Sequence, residues 1–223
     1  MRKYYEAYDD RYIQVHEKQL QWASDVPSDI VTQVMVKYHI GQNAKILELG
    51  CGEGRDAMLL LRRGYNLTAT DISPEAIRYC REKLPEFSEK FQVLDCVGGA
   101  WEEKYDFIYA VAVVHMLVEE GDRAAFYRFI QSHLKENGLA LVCTMGDGAM
   151  ERSSDPNSAF DLQMRTHGQS GKQLMLAGTS CRMVTWDKFL SEIRSSGLVT
   201  EEYGLTEVPP EFSVMMYAVV KKC

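Results

Sequence analysis

Short apolar runs alternate with helical patterns through most of this chain, and that alternation restricts the fold more than any single residue does. The runs "AKILEL" (44–49), "NLTAT" (66–70), "FQVLD" (91–95), "YDFIYAVAV" (105–113) and "LALVCTM" (139–145) have strand length and composition. Between them stand helix patterns with recognisable punctuation. Residues 55–63 are closed by Gly64, a favoured residue just past a helix end. "SPEAIRYCREKL" opens with Ser73 as cap, Pro74 in the first helical position and Glu75 in the electropositive first turn. "DRAAFYRFIQSHLKENG" ends on Asn137-Gly138, a stop signal. Strand, helix and strand in repetition predict a parallel sheet with right-handed crossovers and helices on both faces.

The two ends differ from this pattern. Residues 1 to about 40 are rich in tyrosine ("YYEAYDDRY") and then helical, with Ser28 after Pro27 as the expected cap of "DIVTQVMVKYH". Residues 146–182 form the longest stretch without a clear strand, and a segment of that length is functional or carries short elements of its own. A helix from Thr185 to Gly197 follows. "LVTEEYGL" and "FSVMMYAVVKK", joined by Pro209-Pro210, predict an antiparallel pair closing the sheet. Neither a repeat nor a linker divides the 223 residues, so a single domain over 1–223 is expected.

Composition narrows the partners. A net charge of −7 with scattered basic residues argues against nucleic acid and against a polybasic membrane anchor. The N-terminus has no apolar targeting core, and "IYAVAVVHMLV" is too short to span a bilayer. The six cysteines show neither C-x-x-C nor metal-ligand spacing, and several lie in apolar runs, so reduced thiols, no metal and a cytoplasmic setting are expected.

Candidate chemistry begins where "GCGEG" (50–54) leaves the first strand and enters a helix. In an open parallel sheet ligands bind at the carboxyl ends of strands, and glycines there allow positive φ and close approach to the backbone. Asp71, after the second strand, is placed to accept hydrogen bonds from a ribose diol; Asp95, after the third, is placed to accept from an exocyclic adenine amine. The spacing G-x-G-x-G, with Arg55 next, departs from the dinucleotide fingerprint, and the Gly-Lys-Ser/Thr of a P-loop is absent.

With these residues in place, the chain resembles the class I S-adenosylmethionine-dependent methyltransferases. "LELGCGEG" looks like that family's first motif, "TDIS" and "LDC" its second- and third-strand acids, "YDFIYAVAVVHML" its fourth strand and "LKENGLALV" the approach to its fifth. The resemblance implies an α/β, Rossmann-like, doubly wound sheet of seven strands, mostly parallel with an antiparallel last strand. It implies S-adenosylmethionine as cofactor and S-adenosylhomocysteine as product. Carried over by position, Glu48, Gly50, Cys51 and Gly52 would line the methionine side, with Cys51 a backbone contact only. Asp71 would hold the ribose, Ile72 would pack on the adenine, Asp95 and Cys96 would reach its edge, and Ala112 would touch the methionine end.

"GCGEGRDA" and "YDDRY" are further similar to small-molecule methyltransferases of the thiopurine and tellurite-resistance type, which implies Tyr8, Arg11, Tyr12 and Trp22 as residues of an N-terminal lid. The expected reaction is in-line methyl transfer to an oxygen, nitrogen, sulfur or selenium atom of a small acceptor, where alignment and exclusion of water do most of the work. The alternatives are a protein side-chain acceptor or a silent cofactor-binding module. His115, following the fourth strand, is the candidate base. Asp147, Glu151, Arg152, Arg165, His167 and Arg182 lie in or beside the 146–182 insert, with Arg152 and Arg182 put forward as contacts to an acceptor carboxylate. Arg182 stands out because it interrupts an apolar run. The sequence names neither the acceptor nor the oligomeric state.

Overall fold

The computed structural model describes residues 2–223. In chain order the elements are α1 (Ala7–His16), α2 (Asp29–Lys37), β1 (Ile46–Leu49), α3 (Arg55–Arg62), β2 (Leu67–Asp71), α4 (Pro74–Lys83), β3 (Phe91–Val93), β4 (Tyr105–Val111), α5 (Glu120–His133) and β5 (Leu134–Met145). The insert contributes β6 (Arg152–Ser153), β7 (Leu162–Thr166), β8 (Gln173–Ala177) and β9 (Arg182–Met183). α6 (Trp186–Ser195), β10 (Leu198–Val208) and β11 (Phe212–Lys222) complete the chain. None of the described helices is long and apolar enough to cross a membrane.

The main sheet has seven strands in the order β10-β11-β5-β4-β1-β2-β3. β11 runs antiparallel to both β10 and β5, and every other pairing is parallel. The expected reversed strand is therefore the last in sequence, and it is inserted between its two neighbours. The strand order changes direction between β1 and β4, which is where a doubly wound sheet opens a binding crevice.

Alternation within the strands divides the core in two. Ile46, Phe107, Tyr109, Leu141 and Cys143 face one side with Val31 and Val34 of α2 and Leu60 of α3. Leu47, Ile108, Ala110, Ala140 and Val142 face the other with Phe126 and Ile130 of α5 and Phe189 of α6. All four residues of β1 are buried, as expected for a central strand covered on both faces.

Two local expectations are corrected. α5 stops at His133, before "LKENG": Leu134 already pairs with Tyr105, and residues 135–138 loop out before Leu139 pairs with Phe107. Tertiary pairing at Leu134 overrides the helical pattern, and His133 closes the helix by bonding Phe129 O and Trp101 O. Ser28 stands at the start of α2 but does not cap it with its side chain. Its hydroxyl donates instead to Asp56 Oδ2 (2.8 Å), and its N–H donates to Oδ1 (2.6 Å), tying α2 to α3.

Phe126 is fully buried between α5 and the sheet. Replacing it with alanine is expected to cost about 3–5 kcal/mol, read as a lowered midpoint in denaturant unfolding with an unchanged slope.

Candidate active site

A cavity with about 610 Å³ of empty space opens at the carboxyl ends of β1, β2, β3 and β4. Of the residues expected at a cofactor, Tyr12, Gly50, Asp71, Ile72, Asp95 and Cys96 line it. Its wall also contains Tyr5, Tyr8, Leu49, Thr70, Leu94, Val97, Val113, Met116 and Leu117. Gly50, Ile72, Leu94, Asp95 and Val113 follow a strand end by one or two residues, a signal present in the sequence. Tyr5 is set by the fold of the N-terminal segment, which brings its hydroxyl to Asp95 (3.4 Å).

Glu48, Cys51, Gly52 and Ala112 lie outside that wall. Glu48 is buried within the sheet with Oε2 unpartnered, and burial together with the charge of Asp56 raises its pKa well above the usual carboxylate range. Cys51 is buried beside Cys80, both thiols donating to Gly52 O (3.7 and 3.2 Å), and the neighbouring Cys80 thiol, followed by burial, drives its pKa up, which leaves an unreactive thiol. Gly52 acts through its backbone: its N–H donates to Asp71 Oδ2 (2.8 Å), and a Cβ there would lie 2.7 Å from Tyr12 Oη. At Gly50 a Cβ would lie 2.4 Å from Val113 Cγ2, so the side chains of α1 and of the post-β4 turn press on this loop directly.

Asp71 organises this corner. Oδ2 accepts from Gly52, and Oδ1 accepts from Ser73 N (2.9 Å), fixing the carboxylate while leaving lone pairs toward the cavity. Burial raises its pKa, and those backbone donors oppose the rise.

α1 closes the cavity. Asp9 Oδ1 accepts from Ser73 Oγ (2.6 Å) and Glu75 N (3.1 Å) at the start of α4. His16 bridges two carboxylates, Nδ1 to Glu75 (2.7 Å) and Nε2 to Glu53 (2.9 Å), and stacks on Tyr79. Burial lowers the pKa of His16, but the bonds to Glu53 and Glu75 outweigh burial and leave it raised. Both ring nitrogens face acceptors, so the imidazolium is the form that fits. Glu53 also accepts from the N–H groups of Trp22 and Ala23, each at 2.7 Å.

A second, wider chamber of about 1,960 Å³, partly open to solvent, lies beyond. Tyr8 and Met116 line both chambers and form their junction. Arg11 and Trp22 from the N-terminal segment line it, as do Arg152 and Arg165 from the insert. The short helical turn Val114–Met116 carries His115 into the same space. Buried Arg123 pins that turn, donating to Val114 O (2.7 Å) and Leu117 O (3.2 Å) while paired with Glu192. The importance of Arg123 was not visible in the sequence, where it reads as a surface charge of an amphipathic helix.

His115 lines the second chamber beside Met116 but is poorly suited to be a base. Burial, then the charge of Arg123, lowers its pKa to about 4, so it is neutral near pH 7. Met145 N–H donates to Nδ1 (3.4 Å), which puts the ring proton on Nε2 and makes that nitrogen a donor. Arg182 lines neither chamber; it donates to Val118 O and pairs with Glu120 at 2.8 Å. That pairing is the physical reason it tolerates an apolar run. Among the other insert candidates, His167 is engaged by Ser170 Oγ and Gln21 O, Asp147 caps the turn to Ala149 and Met150, and Glu151 faces Arg182 at 3.7 Å.

An NMR titration of the imidazoles tests both histidines. His115 is expected to stay neutral as the Nε2–H tautomer from pH 6 to 8. His16 is expected to titrate above the ordinary value of about 6.5. Because its folded pKa is raised, its contribution to stability is complete below the unfolded value and fades as pH rises through the folded one. The stability gap between the native chain and His16→Gln should therefore narrow with rising pH across that window.

Residues 46–138 match the model of a methyltransferase domain. Over 110 residues the chain is 34% identical to hemagglutinin 1 of Eikenella corrodens, covering 47% of this chain and 35% of that protein. Over 100 residues it is 28% identical to a probable S-adenosyl-L-methionine-dependent methyltransferase TehB of Haemophilus influenzae, covering 44% of this chain and 35% of that protein. The chain thus spans only 35% of the length of each of these relatives. In fold it is similar to the CcbJ methyltransferase of Streptomyces caelestis, with a TM-score of 0.70 at 15% identity and 100% of both chains covered. Residues 46–138 are thus similar to a methyltransferase domain, and the seven-stranded order with reversed β11 has the fold of the solved methyltransferases it resembles.

Proposed function

We propose that this protein transfers a methyl group from S-adenosylmethionine to a small-molecule acceptor. The observation that carries the reading is the paired chambers: a covered cavity bearing Asp71 and Asp95 meets a wider one at Tyr8 and Met116. The first suits an adenosine. The free lone pairs of Asp71 match a ribose diol, and Ile72, Leu94 and Val97 offer apolar surface for a base whose amine faces Asp95. Bound there, the cofactor supplies a methyl on a positively charged sulfur, open to displacement by an acceptor lone pair.

The protein's own residues then align and shield. α1, held by His16 and Asp9, covers the cofactor cavity and keeps water out. The turn fixed by Arg123 sets Met116 at the junction and His115 next to it in the second chamber. His115 Nε2–H serves as a hydrogen-bond donor that orients the acceptor, so the chemistry suits a nucleophile with a lone pair already available. Walls from α1, the insert and the 210–212 turn surround the second chamber, which favours a small molecule over a protein side chain. Room beside the junction favours catalysis over a silent binding module. All six cysteines are free, in keeping with a reducing, cytoplasmic setting.

Calorimetric titration with S-adenosylhomocysteine tests the cofactor. Micromolar binding is expected, weakened roughly tenfold or more in Asp71→Ala, about 1.4 kcal/mol. Absence of binding by the native chain up to about a millimolar would overturn the proposal.

A further inference from the structure

The second chamber holds an excess of positive charge in a protein whose net charge is −7. Three arginines line it, Arg11, Arg152 and Arg165, against a single carboxylate, Glu211. That carboxylate is already engaged: it accepts from Ser24 N (2.6 Å) and pairs with Arg55 (3.1 Å).

The arginines are placed unusually. Arg11 is buried at 6% exposure with no carboxylate in salt-bridge range among the described residues; it lies over the rings of Tyr8 and Trp22 and donates to Ala177 O and Gly178 O. Arg165 donates to the same Gly178 oxygen (3.4 Å) and to Gln163 Oε1. Two guanidinium groups thus converge on one carbonyl with nothing negative between them. Arg152 forms no ion pair or side-chain hydrogen bond among the described residues. Like charges held together in a partly enclosed space repel, and an anion placed among them removes that cost while gaining charge-assisted hydrogen bonds. The rest of the wall includes Phe212, Met145 and Met183, apolar and adaptable surface for an organic body.

We infer that the acceptor is an organic anion, its carboxylate-like group held at Arg165 and Arg152 beside Arg11, its apolar body against Phe212 and the methionines, and its reacting atom turned toward the Tyr8–Met116 junction. The inference names a substrate class for the site and rests on the methyl-transfer reading. The anchoring end differs from the reacting end, because the cations come from the insert and the lid, whereas the junction is formed by Tyr8 and Met116, with the neutral His115 next to Met116. The arginines are specificity-determining residues and take no part in the displacement itself.

The test uses the full chain saturated with S-adenosylhomocysteine and three carboxylate/carboxamide pairs: benzoate and benzamide, phenylacetate and phenylacetamide, indole-3-acetate and indole-3-acetamide. Binding is measured calorimetrically on the native chain and on Arg152→Gln/Arg165→Gln. At least one carboxylate is expected to bind ten times more tightly than its amide, and the doubly substituted chain should reduce that preference to within a factor of two. Its affinity for S-adenosylhomocysteine should stay native, which also shows that it folds. Equal binding of acid and amide in every pair would overturn the inference, as would a preference that survives the substitutions. Failure of the native chain to bind S-adenosylhomocysteine would instead remove the methyl-transfer reading, and it is measured separately.

Discussion

Buried carboxylates around the glycine loop are the constraint on which the rest of the site depends. Glu53, Asp56 and Asp71 are all nearly inaccessible, and each accepts from backbone N–H groups, with Glu53 also bonded by His16 and Asp56 by the Ser28 hydroxyl. Glu53 takes those of Trp22 and Ala23, Asp56 that of Ser28, and Asp71 those of Gly52 and Ser73. A buried charge left unsatisfied costs several kcal/mol, so these bonds admit little variation in where the N-terminal segment runs. The glycine loop at the head of the first cavity is thereby also the anchor of the segment that covers it.

The cover is shared between the two least patterned parts of the chain. α1 faces the glycine loop and α4 on one side, through His16 and Asp9, and the β7–β8 hairpin on the other, where Arg11 and Gln14 meet the backbone of Ala177 and Gly178. His167 and Gln169 add bonds from the insert to Gln21 and Ala23. Closing the first cavity and shaping the second chamber are consequently one structural event, since a shift of α1 alters both walls at Tyr8.

Much of this was legible beforehand. The strands from β1 to β5, the antiparallel β10–β11 pair, the capping by Ser73 and the start of α6 after Thr185 follow from short-range patterns that tertiary packing reinforces, while the reversed last strand in the full sheet came from the family resemblance. Asp71 and Asp95 were legible because strand ends in a parallel sheet converge on one edge. Legibility failed where a residue's partner lies far along the chain. Ser28 reads as a helix cap until Asp56 is beside it, and Arg182 reads as a ligand contact until Glu120 takes its charge. His115 reads as a base until burial and the N–H of Met145 settle its charge and tautomer.

The sequence by itself determined the layered α/β architecture and the edge of the sheet at which the first cavity opens, because periodicity, glycines and strand-end acids act over a few residues and survive any choice of loop path. Tertiary structure alone decided what each polar side chain does. It buried Arg11 without a carboxylate, brought Arg165 to the same carbonyl, paired Arg182 and enclosed His16 between two acids. Charge and hydrogen-bond capacity are properties of a residue, but their role depends on which groups, dozens of positions away, exclude water from it.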